Sequence, residues 1–322
     1  MTEQEHGWRP SASLQTIRKR AELLQQVRAF FHAREVLEVE TPALSRAGNT
    51  DPNIESMSVR TGHDSYYLHT SPEFPMKRLL SAGGGSIYQI CKVFRQGEAG
   101  RFHNPEFTML EWYRIGFDHH ALMNEVEQLL REVLGMRVTA TQKMTYRNAF
   151  VQHAGFDPLK IANNELVSEA ARLGFSNVIG LGVDERDAWL ELLFDQVIVP
   201  AFPPDTILFI HDFPASQAAL ARVRQPEGVA ERFEVYVNGI ELANGFHELL
   251  DVQEQRQRFE HDNSMREEKG AEPVMIDESF LAGLAAGMPT CAGVALGVDR
   301  LLMLLTGSDT ISQVLTFDWE QA

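Results

Sequence analysis

The spacing of apolar positions along this chain changes period several times, and each change predicts an element. Leu14, Ile17, Ala21, Leu24, Val27 and Phe31 recur at three- and four-residue steps, the signature of an amphipathic helix. "VLEVETPAL" reads as a short strand ended by Pro42, and "AGNTDPN" as a loop of turn formers. "SYYLHTSPEF" reads as a strand entering a helix, with Ser71 as N-cap, Pro72 at the first helical position and a stop at Gly83-Gly84-Gly85. Strands Ile87 to Arg95 and Pro105 to Arg114 flank the polar loop "QGEAGRFHN" and predict an antiparallel hairpin. Residues 119–134 and 164–199 read as mainly helical, and "TILFIHDFP" as a strand between prolines. In "RFEVYVNGIELANGF", Phe233, Val235 and Val237 alternate with polar residues before an Asn238-Gly239 turn, predicting a second hairpin. A charged helix from about Glu248 to Lys269 follows, and "CAGVALGVDRLLMLLTG" reads as a Gly-rich strand feeding an apolar helix. Because strands and helices do not alternate regularly, the expected class is α+β, an antiparallel sheet with surrounding helices.

The same periodicity sorts candidate chemistry onto faces. Phe107, Met109, Glu111 and Tyr113 share one face of their strand, and Cys91, Val93 and Arg95 share a face of the preceding one. Arg95, Phe107, Glu111 and Tyr113 together offer a phosphate ligand, a stacking ring, and an acid with a phenol for a cation, although a half-solvated sheet reads the same way. Glu241 and Glu248 are seven residues apart, which on an unbroken strand puts them on opposite faces. A bulge at Asn244-Gly245 would reset the register and let both carboxylates converge on Mg²⁺; two unrelated surface acids are the alternative. Gly293, Ala295, Gly297 and Asp299 share a face on which a ligand could approach the backbone. Arg300 then stands at a helix start, where the dipole favours anions, so a phosphate-facing role accounts for it better.

Composition narrows the partners. Against 29 Lys+Arg stand 45 Asp+Glu, a formal net charge of -16 that repels phosphate backbones and makes nucleic acid a poor default partner. The two cysteines, Cys91 and Cys291, have no metal-ligand spacing. No apolar run suggests a membrane span, so a cytoplasmic protein is expected.

These segments, in this order, closely resemble the three motifs of the class II aminoacyl-tRNA synthetases over nearly the whole chain from Leu14. "VETPAL" resembles motif 1, "VFRQGEAGRFHNPEFTMLEWY" motif 2 and "GVALGVDRL" motif 3, while "NPEFTMLEWY" is similar to the lysyl-tRNA synthetase version in particular. The resemblance implies a six- to seven-stranded antiparallel sheet flanked by helices, and a homodimer organised by motif 1. It implies that Arg95 holds the α-phosphate and substrate carboxylate, and that Phe107 and Arg300 sandwich adenine. Gln96, Gly97, His103, Asn104, Leu242 and Gly297 would help seat the ATP, and Glu241 and Glu248 would manage Mg²⁺. Ser71, Pro72 and Glu73 match the segment that contacts the amino-acid amine, and Glu111 and Tyr113 the end that recognises the distal amine. Two positions depart from the motifs: Glu35 stands where motif 1 commonly has glycine, so a different turn is expected, and Gly97 stands where motif 2 usually has an acid, with Glu98 following.

Only 13 residues precede Leu14, where lysyl-tRNA synthetases carry an anticodon-binding domain. The expected organisation is therefore an extension, residues 1–13, and one catalytic domain, residues 14–322, with no anticodon recognition. Short chains of this kind resemble the elongation factor P β-lysine ligase family. That resemblance implies activation of (R)-β-lysine, and less well α-lysine, as an adenylate, then transfer to a lysine of elongation factor P. Ala295, where lysyl-tRNA synthetases generally have glycine, would narrow the pocket, and one carbon can discriminate by roughly 1 to 3 kcal/mol. The competing readings are a free-standing amide synthetase, a truncated synthetase with another acceptor, and a non-catalytic paralogue.

Overall fold

In the computed structural model, which describes residues 8–322 apart from residue 177, helix α1 (Leu14–His32) is capped by Ser13, whose Oγ accepts the Thr16 N–H. Its buried face is Leu23, Val27, Phe30 and Phe31, while Leu14 is 68% exposed, so the apolar stripe packs only from the middle of the helix onward. Residues 1–7 of the expected extension lie outside the described residues. The Ser11 and Ala12 N–H groups donate to Thr316 and Leu315 carbonyls at 2.9 and 3.0 Å, tying the segment before α1 to the chain's last turns. After α1 the backbone turns through Glu35 at φ 54, the left-handed conformation that glycine adopts most easily, so the turn keeps a glycine-like path without the glycine.

Short strands β1 (Leu37–Glu38), β2 (Leu44–Ser45), β3 (Ser58–Thr61) and β4 (Asp64–Leu68) precede helix α2 (Glu73–Ser81). The hairpin β5 (Ile87–Phe94) and β6 (Glu106–Ile115) leads to α3 (His119–Leu134) and β7 (Ala140–Thr145). The stretch expected to be helical over 164–199 is broken. After α4 (Tyr146–His153) come α5 (Asn163–Arg172) and α6 (Arg186–Leu193), separated by a segment in which Gly174 and Gly180 take positive φ. Strands β8 (Thr206–Pro214), β9 (Val223–Arg224), β10 (Val229–Val237) and β11 (Ile240–His247) follow, then α7 (Val252–Glu268), α8 (Glu278–Ala285), β12 (Cys291–Gly297) and α9 (Val298–Thr306).

The main sheet runs β1-β5-β6-β12-β11-β10-β8-β7, with β9 beside β10. The six strands from β5 to β8 pair antiparallel, as expected. The edge strands β1 and β7 join in parallel and extend the sheet beyond the expected six or seven. A small sheet, β2-β4-β3, stands apart.

One face of the main sheet carries Leu110, Trp112, Ile207, Phe209, Phe233, Val235, Val294 and Leu296 and is sealed by α1, α3 and α9. At the β7–β8 end of the opposite face, Leu208, Ile210 and Tyr236 pack with α4 to α6; at the β5 end, Ile87, Tyr113 and Cys291 pack with α2, α7 and α8. Two separate helical clusters on one face leave a gap between them, and that gap is the cleft described next. Among the described residues no helix is long and apolar enough to cross a membrane.

Candidate active site

The cleft has a volume of about 1200 Å³ and its floor is the polar face of β6, β12, β11 and β10. Register explains who meets whom. Ala295 lies opposite Glu111 on one side and Asn244 on the other, and Gly293 lies between Tyr113 and Phe246. The expected faces of β6 and β12 are therefore the observed ones: Phe107, Met109, Glu111, Tyr113, Gly293, Ala295 and Gly297 all line the cleft. Gly293 is required there, since a Cβ would overlap both the Tyr113 ring and the Glu248 carboxylate.

At the α2 end, a cluster of charges is buried. Ser71 Oγ donates to Glu111 Oε2 at 2.6 Å and accepts the Glu73 N–H at 3.0 Å, so it caps α2 from one residue before the observed N-cap, Pro72. Tyr113 OH donates to Glu111 Oε1 at 2.7 Å. Lys77 Nζ sits 2.6 Å from both Glu73 Oε1 and Glu248 Oε2, with its side chain 1% exposed. Burial pushes the Glu111 carboxyl up to about 8, with Glu73 adding to it. Burial also raises Glu248 to about 7 against the pull of Lys77. For Lys77 itself, burial disfavours the charge, but Glu248 and Glu73 outweigh it and hold the ammonium above the usual lysine range. When both raised carboxyls ionise, three carboxylates face one ammonium and two negative charges are in excess, a state that a cationic ligand favours.

At the other end, Arg95 and Phe107 meet in a cation–π contact, the guanidinium carbon 5.2 Å from the ring centroid, with Glu98 Oε1 3.6 Å from Arg95. Arg300 uses all three nitrogens on the protein: Nε donates to the Phe102 carbonyl at 3.2 Å, Nη1 to the Glu241 carbonyl at 2.9 Å and Nη2 to His103 Nε2 at 2.7 Å. Three of its five N–H donors are taken by the protein, which holds the guanidinium plane in place and leaves its flat face free for stacking. Burial and the neighbouring Arg300 lower the His103 pKa, which keeps its ring neutral and able to accept.

Several expected positions behave differently from the sequence reading. Pro72, Gln96 and Gly97 do not line the cleft; the chain turns at Gly97 with φ 80, and the following Glu98 faces inward instead. Asn104 lines it, yet its amide is taken up by backbone, donating to the Glu106 carbonyl at 2.6 Å and accepting the Trp319 N–H at 3.1 Å. Asp299 spends its carboxylate on Arg20 and on the Thr108 N–H at 2.6 Å, because α9 has already begun at Val298 and helical spacing replaces the strand alternation.

The register reset in β11 is real but lies elsewhere. The pairing slips at Leu242, between Val235–Ala243 and Tyr236–Glu241, so Glu241, Asn244, Phe246 and Glu248 all line the cleft. Gly245 is there because a Cβ would strike the Phe233 ring in the core. The reset turns both acids toward the cleft, with different protein partners. Glu248 is tied to Lys77 at the amine end, while Glu241 lies near the hairpin turn, its side chain 40% exposed and 3.6 Å from Arg300. Both acids therefore face the cleft, Glu248 committed to Lys77 and Glu241 the more exposed carboxylate.

Lys77 was missed in the sequence, as was the β10 trio in which Arg232 pairs with Glu234 and donates to Asn244 Oδ1 at 3.2 Å while Tyr236 OH donates to Glu234. Arg232, Glu234 and Tyr236 alternate in "RFEVYV", a same-face signal present but indistinguishable there from solvent-facing polarity.

Comparison with known proteins agrees with this architecture. The family description "tRNA synthetases class II (D, K and N)" matches residues 6–321. The chain is similar to a Vibrio cholerae protein named elongation factor P--(R)-beta-lysine ligase, 51% identical over 98% of this chain and 98% of the relative. Proteins of the same name from Vibrio parahaemolyticus (50% identical, 97% and 98% covered) and Avibacterium paragallinarum (47% identical, 99% and 99% covered) are similarly close.

Proposed function

Since the chain belongs to the class II tRNA synthetases of the D, K and N type, we propose that it is an ATP-dependent ligase that joins (R)-β-lysine to a lysine of elongation factor P. It works in the cytoplasm on a protein rather than a tRNA acceptor. The observation that carries the substrate is the charge capacity of the buried cluster: once ionised, Glu73, Glu111 and Glu248 against Lys77 leave two negative charges in excess, matching the two ammonium groups of a lysine isomer. The Ala295 methyl, opposite Glu111, trims the same pocket and favours the β isomer over α-lysine.

In the first step the amino-acid carboxylate attacks the ATP α-phosphorus, a C–O–P link forms, and the bond to pyrophosphate breaks. Arg95 neutralises charge developing on the α-phosphoryl group, and adenine stacks between the Phe107 ring and the flat face of Arg300. Glu241 is the carboxylate that would hold Mg²⁺, which takes one or two carboxylates and completes its shell with water and phosphate oxygens, supplying charge neutralisation. In the second step the neutral ε-amine of the acceptor lysine attacks the mixed anhydride, the amide forms, AMP leaves and the amine gives up a proton. No protein nucleophile is required. Two copies pair through the motif 1 region, where Leu37 and Leu44 are 58% and 44% exposed.

Pyrophosphate exchange with α-lysine, (R)-β-lysine and aspartate tests the reading, followed by offering elongation factor P and tRNA as acceptors. Exchange should be strongest with (R)-β-lysine, absent with aspartate, and abolished in Arg95→Ala. Charging of tRNA in place of elongation factor P would overturn the acceptor, and no exchange with any amino acid would overturn the ligase.

A further inference from the structure

On the side of the sheet away from the cleft, four histidines gather where α3 begins. His119 and His120 are the first residues of α3, His211 lies on β8, and His247 closes β11. None of them lines the cleft. The strands are deformed to bring them together: Asp212 takes φ 58, and the β8–β10 pairing slips so that Glu231 and Arg232 bulge opposite it. One ring nitrogen from each of His119, His120 and His211 lies within 4.8 Å of the others, and His119, Glu231 and His247 form a second such set. The rings of His119 and His120 are 4.0 Å apart by centroid, and those of His120 and His211 5.1 Å.

The chemistry around the rings is that of ligands oriented from behind. His119 is 2% exposed; its Nε2 lies 3.4 Å from Asp212 Oδ1, while Nδ1 has no hydrogen-bond partner among the described residues, an expensive state for a buried polar ring. His211 Nδ1 lies 3.2 Å from Asp212 Oδ2, an electrostatic contact that leaves Nε2 as the other ring nitrogen. His247 is held the same way, its Nδ1 2.6 Å from Glu231 Oε2. Arg224 lies 3.3 Å from Asp212 and 3.6 Å from Glu231, and Arg222 3.8 Å from Glu231, so the charge of these acids is partly offset from behind the imidazoles. His120 is exposed and gives the cluster an entry from solvent.

We infer that His119, His120 and His211 form a binding site for a divalent transition metal of the Zn²⁺ class, which clips the start of α3 to β8. Imidazole nitrogens suit Zn²⁺ at bond lengths of about 2.0 Å, and three of them leave a fourth position to water or Asp212.

Chelator-stripped protein titrated with Zn²⁺ alone in a calorimeter should take up one ion per chain. His120→Ala and His211→Ala should each weaken binding tenfold or more, while Glu241→Gln leaves it unchanged. The Zn²⁺-induced rise in thermal midpoint should vanish in His120→Ala, a variant at an exposed position whose pyrophosphate exchange stays at the wild-type level. Failure of the wild type to bind stoichiometric Zn²⁺, or wild-type affinity in His120→Ala and His211→Ala, overturns the site. Because these readouts are metal binding and melting, they fail independently of the ligase reading.

Discussion

Glu111 near 8 and Glu248 near 7 leave the unliganded pocket partly protonated at neutral pH. Ammonium groups favour the ionised carboxylates, so a diamine ligand must expel protons as it binds, and its affinity rises with pH through 7 to 8. The slope is at most about tenfold per pH unit for each carboxylate. Above 8 it levels off until the ligand's own ε-amine, near 10.4, begins to lose charge. The dissociation constant for β-lysine should therefore fall by roughly tenfold or more between pH 6 and 8, with proton release in calorimetry across buffers. A flat profile would contradict the buried carboxylates, and Glu111→Gln should flatten it in part. For the unliganded fold the sign is reversed: these raised carboxyls contribute most stability below the unfolded value, about 4.3, and lose it as pH climbs through 7 to 8. Arg95, Glu111 and Tyr113 were legible in the sequence because strand alternation alone assigns them to faces. Lys77 was not, because Glu73 and Lys77 at i,i+4 look like any exposed helix pair until tertiary packing buries them.

Elements were legible wherever the chain pays for its geometry locally. Asn238 and Gly239 both take positive φ, as the tight turn between β10 and β11 demands, and the sequence announces it. The bulge at Leu242 has no such marker, and Gly245, which looked like its cause, is small because Phe233 packs over it. Strand β7, "ATQKMT", was invisible since it lacks alternation and borrows its partner, β8, from sixty residues further on. Gly293 lies on β12 where two side chains of other elements, Tyr113 and Glu248, need its empty space. Gly293→Ala should therefore cost about 1 to 3 kcal/mol of stability and collapse amino-acid-dependent pyrophosphate exchange, while nucleotide binding at the Arg300 end persists. A variant with wild-type exchange would show that the floor of the pocket can yield.

At the scale of the molecule, motif 2 forms the β5–β6 hairpin, motif 3 forms β12 and the start of α9 beside it, and motif 1 follows β1 at the sheet edge, so their order in sequence carried much of the fold. What sequence could not show is the split of the helices on the cleft face into two clusters, since helix packing partners are set by the closed sheet. Pairing of two copies belongs to this scale as well. Light scattering should give the mass of two chains for the wild type, and the double variant Leu37→Glu/Leu44→Glu should give one; a single-chain wild type would dismiss the dimer. The buried charge cluster has a further consequence for fidelity. An amino acid with a single ammonium would leave one buried carboxyl without its ionic partner, and sites built to bond a substrate group reject analogues that lack it on the order of 10⁴-fold. Discrimination on that scale at the activation step leaves no need for a second, hydrolytic compartment to destroy wrongly activated products.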